Sequence, residues 1–185
     1  KPFSLHGLRH IDPEQGKYWR LTPEIMEAMP QYEQLGRRSG GGRLRFQTDS
    51  PFVFIRYQLK TLSVDVGMSI RAASGLDVYY GTGKDARFGG FVSPEHYEQV
   101  MTPLEKKLEK GAGLDTVTIN LPRNEQLAFL EIGLAQESTV SAAPYTRQGE
   151  IIFYGSSITE GGCATRPGTA YTHMLSRWLD IDFRT

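Results

Sequence analysis

From Arg43 to about residue 140 the chain mostly alternates polar and apolar positions with a period of two, the pattern of half-buried strands. Arg43–Gln47 reads as one such strand, and Phe52–Lys60 as another. In the second, Val53, Ile55, Tyr57 and Leu59 share one face, and Arg56, Gln58 and Lys60 the other. Shorter strands are predicted over Ser69–Ala73 and Leu76–Tyr80, and two more over Thr116–Leu121 and Leu127–Leu134. Gly81-Thr82-Gly83-Lys84 reads as a turn, Phe88-Gly89-Gly90-Phe91 as a hairpin tip, and the charged Pro103–Gly111 as one or two exposed helical turns. Ahead of this region, Tyr18–Leu21 predicts a short strand and Thr22-Pro23-Glu24 a helix start. Several short strands between turns predict an antiparallel β-sandwich, for which a jelly-roll topology is favoured.

The pattern changes after Ser138–Pro144, a small, polar stretch that reads as a linker. The apolar run Ile151–Tyr154 has the length of a buried strand and stops at Gly155, with Ser156 and Ser157 next. A glycine-rich turn, Glu160–Cys163, leads to a helix predicted from about Thr169 to Leu179. Tyr171, Met174, Leu175, Trp178 and Leu179 fall on one face of that helix, and Asp180–Phe183 leads towards another strand. The expected division is therefore a sandwich over residues 1–145 and a strand–helix unit over 146–185. A serine just past the C-terminal end of a strand and ahead of a helix is where open α/β sheets place their chemistry. Backbone N–H groups there can hold a developing oxyanion.

Charge narrows the function classes. Lys plus Arg and Asp plus Glu both number 21, so nothing favours nucleic acid or an anionic membrane as partner. No apolar run approaches the roughly 20 residues that span a bilayer. The single cysteine, Cys163, rules out an internal disulfide framework, and a thiol-nucleophile role for it has no local His or Asn pattern behind it. It is expected to pack under the turn. No His/Cys/Asp/Glu spacing suggests a metal, and no Gly-Lys-Ser/Thr follows the glycines as a phosphate loop requires. No cofactor is expected.

Gly155-Ser156-Ser157-Ile158-Thr159 resembles the first sequence block of the SGNH (GDSL-type) hydrolases. The resemblance places Ser157 as nucleophile and its own N–H as one oxyanion donor. Gly75-Leu76-Asp77-Val78-Tyr79 resembles the Gly-x-Asp-Leu-Tyr signature of a β-sandwich domain that precedes SGNH esterase domains, with Val78 in place of Leu. Arg166-Pro167-Gly168 and Ala170-Tyr171 are similar to members that carry this added domain. The implied fold class is mainly β: a jelly-roll-like antiparallel sandwich, then the first strand–helix unit of an α/β hydrolase domain. Asp77 is expected to be structural, satisfying nearby backbone N–H groups, with Tyr79 packed.

A serine hydroxyl needs a base, usually a His oriented by an Asp. The family's Asp-x-x-His block, and the Gly and Asn that complete its oxyanion hole, are not in this chain. Its histidines are His6, His10, His96 and His173; only His173 follows Ser157, and it is expected to be exposed or capping. Glu160 is expected either to accept from backbone N–H groups of the turn or to lie exposed. The chain thus reads as the N-terminal part of a serine esterase (a lipase/acylhydrolase relative) that deacylates carbohydrate or another small ester, inactive in isolation. Family analogy implies a secreted or periplasmic protein. The alternative is a carbohydrate-binding or structural sandwich without catalysis. In that reading Tyr79, Tyr80, Phe88, Phe91 and Tyr97 are candidates for stacking on sugar rings.

Overall fold

The computed structural model describes residues 2–99 and 101–185. Its strands are β1 (Ser4–His6), β2 (His10–Asp12), β3 (Lys17–Trp19), β4 (Arg43–Thr48), β5 (Phe52–Leu59), β6 (Leu76–Tyr80), β7 (Arg87–Val92), β8 (Leu104–Glu109), β9 (Asp115–Asn120), β10 (Leu127–Gly133), β11 (Val140–Ser141), β12 (Arg147–Ile152) and β13 (Ile181–Arg184). Its α-helices are α1 (Pro23–Ala28), α2 (Glu33–Gly36), α3 (Ile70–Ser74), α4 (Ser157–Glu160) and α5 (Tyr171–Leu179).

Two antiparallel sheets form the sandwich. One has the order β1-β4-β9-β6-β7, with β11 also on β4; the other has the order β10-β5-β8. Between them, Phe46, Val53, Ile55, Tyr57, Leu76, Val78, Tyr80, Val117, Ile119 and Leu127 are buried. In β5 the alternation is as expected: Val53, Ile55, Tyr57 and Leu59 point inward. The Tyr57 hydroxyl donates to the Ser74 and Val92 carbonyls at 2.9 and 3.2 Å, so the buried phenol is not left unpaired.

Five elements differ from the sequence reading: β12 runs Arg147–Ile152 instead of Ile151–Tyr154, with Ile152 and Tyr154 exposed; the stretch read as a linker holds β11, which pairs with β4; and three segments of the sandwich change their assignment. Leu104–Glu109 is an edge strand and not a helical turn. Leu104 and Leu108 are four apart, a spacing that suits one helical turn and a strand face equally, and pairing with β5 decides for the strand. Ser69–Ala73 is not a strand: Ser69 caps α3, accepting from the Ala72 N–H at 3.2 Å. Phe88–Phe91 lies within β7, while the turn itself is at Gly81–Ala86. A Cβ on Gly89 would come within 2.4 Å of the Tyr80 ring, so this strand glycine serves close packing.

The largest departure from simple alternation is β4. Arg43 and Arg45 occupy the face expected to meet solvent, yet they are 2% and 3% exposed. The C-terminal segment covers them. There β12 and β13 pair in parallel, joined through α4 and α5. Arg45 donates to Asp180 at 2.9 Å, and Asp180 also accepts from the Thr146 N–H. Arg43 pairs with Asp182, donates to the Tyr145 hydroxyl and the Phe183 carbonyl, and lies 3.7 Å from the centre of the Phe183 ring. His6 reaches the same Asp182 at 2.8 Å. The segment therefore docks largely through polar side chains, around a fully buried Phe183. α5 turns Thr172, His173 and Ser176 inward, while Tyr171, Trp178 and Leu179 of its apolar face stay exposed.

The deepest tie is at Asp77, which is fully buried. Its carboxylate accepts from Asn120 Nδ2 at 2.8 Å, from Arg166 Nε at 3.1 Å and, with both oxygens, from the Gly168 N–H at 3.1 Å. Arg166 continues to the Tyr79 hydroxyl at 3.0 Å, and Arg177 lies over the Tyr79 ring while donating to the Gly168 carbonyl. A Cβ at Gly168 would fall 2.6 Å from Asn120 Nδ2 and 2.7 Å from Tyr79, so only glycine lets the turn approach this closely. Burial pushes the Asp77 carboxyl up; the Asn120 amide, the Arg166 charge and the Gly168 N–H pull it down but do not cancel the rise. Asp77 is thus structural, as expected, but the N–H it satisfies lies in the C-terminal segment and not nearby in sequence.

Asp77→Ala removes the acceptor of Asn120 Nδ2, Arg166 Nε and the buried Gly168 N–H, and is expected to cost about 3 kcal/mol or more in denaturant unfolding; Asp77→Asn, which keeps the shape, costs less. The buried His173 ring has no hydrogen-bond partner on either nitrogen, and burial, with Arg43 and Arg177 nearby, holds its pKa well below the usual histidine value. The unfolded chain therefore takes up a proton, below about pH 6.5, that the folded protein does not. Stability should fall as pH drops below that point, by up to about 1.4 kcal/mol per unit from this residue. Melting curves across pH 5–7.5 for wild type and His173→Met should show that slope reduced in the variant.

Candidate functional site

The site is built at the end of β12. The Phe153 N–H pairs with the Arg184 carbonyl at 2.8 Å, and the chain then leaves the sheet through Tyr154, Gly155 and Ser156. A Cβ on Gly155 would lie 2.1 Å from Thr159 Oγ1, so glycine is needed for the chain to turn this tightly into α4. Ser157 is the first residue of α4, and it is exposed. Among the described residues, neither its hydroxyl nor its N–H has a hydrogen-bond partner. A free N–H is what the first turn of a helix leaves.

The turn after it is tightly closed. The Gly162 N–H donates to the Ser157 carbonyl at 2.6 Å, and Gly161 ends the helix at a φ of 106°. A Cβ on Gly162 would sit 2.7 Å from that same carbonyl oxygen. Tyr171 of α5 donates to Thr159 at 3.1 Å.

Glu160 corrects the sequence expectation. It neither lies exposed nor accepts from the turn's own N–H groups through its side chain. Instead it receives Arg20 and Arg123 of the sandwich, the latter at 2.7 Å. Arg123 also donates to Asn124 Oδ1 at 2.6 Å, which fixes the guanidinium from the other side.

His173 and Ser157 are not brought together. His173 is buried between α5 and the sandwich, against the Phe183 ring at 4.9 Å, neither exposed nor capping. No hydrogen bond joins any histidine to Ser157 among the described residues. The described residues also hold no group of three His, Cys, Asp or Glu side chains placed to bind a metal ion. No helix among them is long and apolar enough to cross a membrane. Cys163 is exposed rather than packed under the turn, and its backbone is left-handed, with a φ of 62°.

Beyond Cys163 the loop forms one wall of an open cleft of about 1050 Å³. The opposite wall belongs to the sandwich, with Arg71, Phe91, Gln99 and Lys106. The aromatic residues considered for stacking on sugars are mostly engaged. Tyr80 is core, Tyr79 is covered by Arg177, and Tyr97 packs against the core. Arg166 lies 4.2 Å from the centre of the Phe88 ring, and Arg71 lies 3.9 Å from that of Phe91.

The residues that anchor the Ser157 turn were missed by the sequence reading. Arg123 lies in what reads as a plain Pro-Arg-Asn-Glu turn, and Arg20 at the end of a short strand. Nothing local to either residue announces a partner more than thirty positions away. Arg166 and Gly168 carried a signal only through family resemblance.

Comparison with known proteins agrees with this arrangement. A candidate GDSL-like lipase from Bacteroides ovatus superimposes with a TM-score of 0.83 at 27% identity, over 98% of this chain and 52% of the other. A salicylyl-acyltransferase from a tetracycline biosynthetic pathway shares the fold, with a TM-score of 0.76 at 20% identity, over 99% of this chain and 50% of the other. The chain thus spans about half the length of both. Among curated protein sequences, none matches it. Residues 148–184 match the GDSL-like lipase/acylhydrolase family, and residues 3–140 match GxDLY, the N-terminus of SGNH-hydrolase-type esterases. Since that second match takes in most of its length, the chain belongs to the SGNH-type esterase family, as a GxDLY sandwich followed by the start of a GDSL-like domain.

Proposed function

We propose that this chain is the N-terminal part of a serine ester hydrolase in which Ser157 is the nucleophile. The observation that carries this is the exposed, unpartnered Ser157 hydroxyl at the first position of α4, on a turn fixed from several sides. A nucleophile must be reachable by substrate and by a base, and must not be tied up in a structural hydrogen bond. The free Ser157 N–H supports its role as one donor to the oxyanion of the tetrahedral intermediate.

In this reading Ser157 Oγ attacks the ester carbonyl as a base removes its proton, the alcohol leaves, and water releases the acid from the acyl-serine. The base and the remaining oxyanion donors come from further strand–helix units of a longer protein. The unburied Ile152, Tyr154, Ile158 and Trp178 support this, because a complete doubly wound domain covers both faces of its sheet. The boundary between sandwich and hydrolase portions falls at residues 145–146, consistent with the edges of the two family matches. Successive strands from β4 to β6 and from β7 to β11 alternate between the two sheets, which supports a jelly-roll topology for the sandwich. The cleft beyond Cys163, with charged and amide side chains facing it, suits a polar alcohol such as a carbohydrate, and acetyl is the acyl group proposed from family analogy.

In the full-length gene product, Ser157→Ala should lower hydrolysis of p-nitrophenyl acetate and of acetylated sugars by about 10³-fold or more. It should also abolish covalent labelling by a fluorophosphonate. Turnover at the wild-type rate in that variant would remove Ser157 from the mechanism. Residues 1–185 alone, lacking a base, should show no serine-dependent turnover.

A further inference from the structure

We infer that Glu160 is a positioning residue for Ser157, and that the sandwich acts on the reaction through it, by way of Arg20 and Arg123. The inference rests on the reading of Ser157 as nucleophile.

Little else ties α4 to the sandwich. The helix is four residues long, a single turn, so it has almost no internal ladder to keep its shape. Ile158 is 68% exposed and contributes no core contact. The other holds on α4 come from its own segment: Tyr171 donates to Thr159, the Gly162 N–H donates to the Ser157 carbonyl, and Gly161 and Cys163 close the turn in left-handed backbone. Glu160 is the one residue of α4 with an ion pair to the sandwich among the described residues. It lies three positions after Ser157, one helical turn away, so a shift of its carboxylate carries the start of the helix with it.

The sandwich side of the contact is rigid and prearranged. Arg123 is 8% exposed, donates to Asn124 Oδ1, and has Met68 Sδ at 2.9 Å. The backbone around it is fixed as well: the Asn124 N–H pairs with Ala73, and the Ser39 N–H with Glu125. The backbone N–H of Arg20 pairs with the Arg38 carbonyl at 3.2 Å. Two guanidinium groups of the sandwich thus hold Glu160, the carboxylate supplied by the segment that carries the nucleophile. A Cβ on Gly40 would lie 3.6 Å from Glu160 Oε1, so the sandwich loop closes over the pair.

Stability alone would not require the clamp at this point. The segment is already tied to the sandwich at Asp77, Arg43 and Arg45, and each of those ties acts on the chain beyond Thr165 or on β13. Glu160 is the tie that acts on α4. Misplacing a reacting group by about 1 Å is enough to cost about 10²-fold in rate.

The test uses the full-length gene product and compares Glu160→Gln and Arg123→Met with Asp180→Asn. The last loosens a different tie to the sandwich, at Arg45. Each variant is measured for melting temperature, for kcat and KM on p-nitrophenyl acetate per folded molecule, and for the rate of inactivation by a fluorophosphonate. Glu160→Gln and Arg123→Met are expected to lower kcat and the inactivation rate about 10-fold or more, with KM within about 2-fold. Asp180→Asn is expected to lower the melting temperature with kcat unchanged. If Arg123→Met does not fold, Arg20→Lys, which keeps the charge but alters the fork, takes its place and should show the same kcat-selective loss. Wild-type kcat in the clamp variants, with only a lower melting temperature, overturns the inference while leaving Ser157 as nucleophile. Full activity in Ser157→Ala overturns both.

Discussion

The structure depends on a carboxylate that cannot be left alone. Asp77 is fully buried on the sandwich, with Asn120 beside it, and the other groups that satisfy it come from Arg166 and Gly168, almost ninety residues further along. A buried carboxylate without partners is costly, and so is a buried guanidinium or backbone N–H. The sandwich and the segment that follows therefore each carry half of an arrangement that neither can satisfy by itself. Docking is enforced by desolvation as much as by attraction.

The same logic repeats across the interface. Arg43 and Arg45 on β4 meet Asp182 and Asp180, and Arg20 and Arg123 meet Glu160. Such pairs contribute modest net stability but strong geometric specificity, because removing either member strands the other. Apolar surface enters this contact mainly through the fully buried Phe183 ring. α5 presents Thr172, His173 and Ser176 to the sandwich and leaves its hydrophobic stripe outward. The result is a glycine-rich loop held at Glu160 and again at Gly168, with Ser157 just ahead of the first anchor.

Much of this fold was legible in the sequence wherever a single period governs the residues. β5 alternates cleanly because one face meets the core and the other solvent. Legibility failed where two constraints compete. Leu104 and Leu108 satisfy both periods, and only β5 pairing selects the strand. Arg43 and Arg45 look like a solvent face, since long-range ion pairing leaves no local trace. The helix face holding Tyr171 and Trp178 is apolar as its periodicity predicts, but in this chain much of it stays exposed, with only Met174 and Leu175 half-buried and Tyr171 against Phe153. At the candidate site, the place of Ser157 after a strand and at the start of a helix is readable from the pattern. The arginines that hold Glu160, and the burial of His173, follow from contacts between residues remote in sequence, which periodicity does not encode.

The central claim is that the sandwich fixes the loop carrying Ser157. Amide hydrogen exchange on this chain, read residue by residue, tests it most directly. Protection of the Gly168 and Gly162 N–H groups comparable to that of Ile55 and Val117 in the sandwich core is the predicted result. Exchange of those two glycines at the rate of an unstructured peptide, with the core still protected, would contradict the account, since the loop would then move independently of the sandwich.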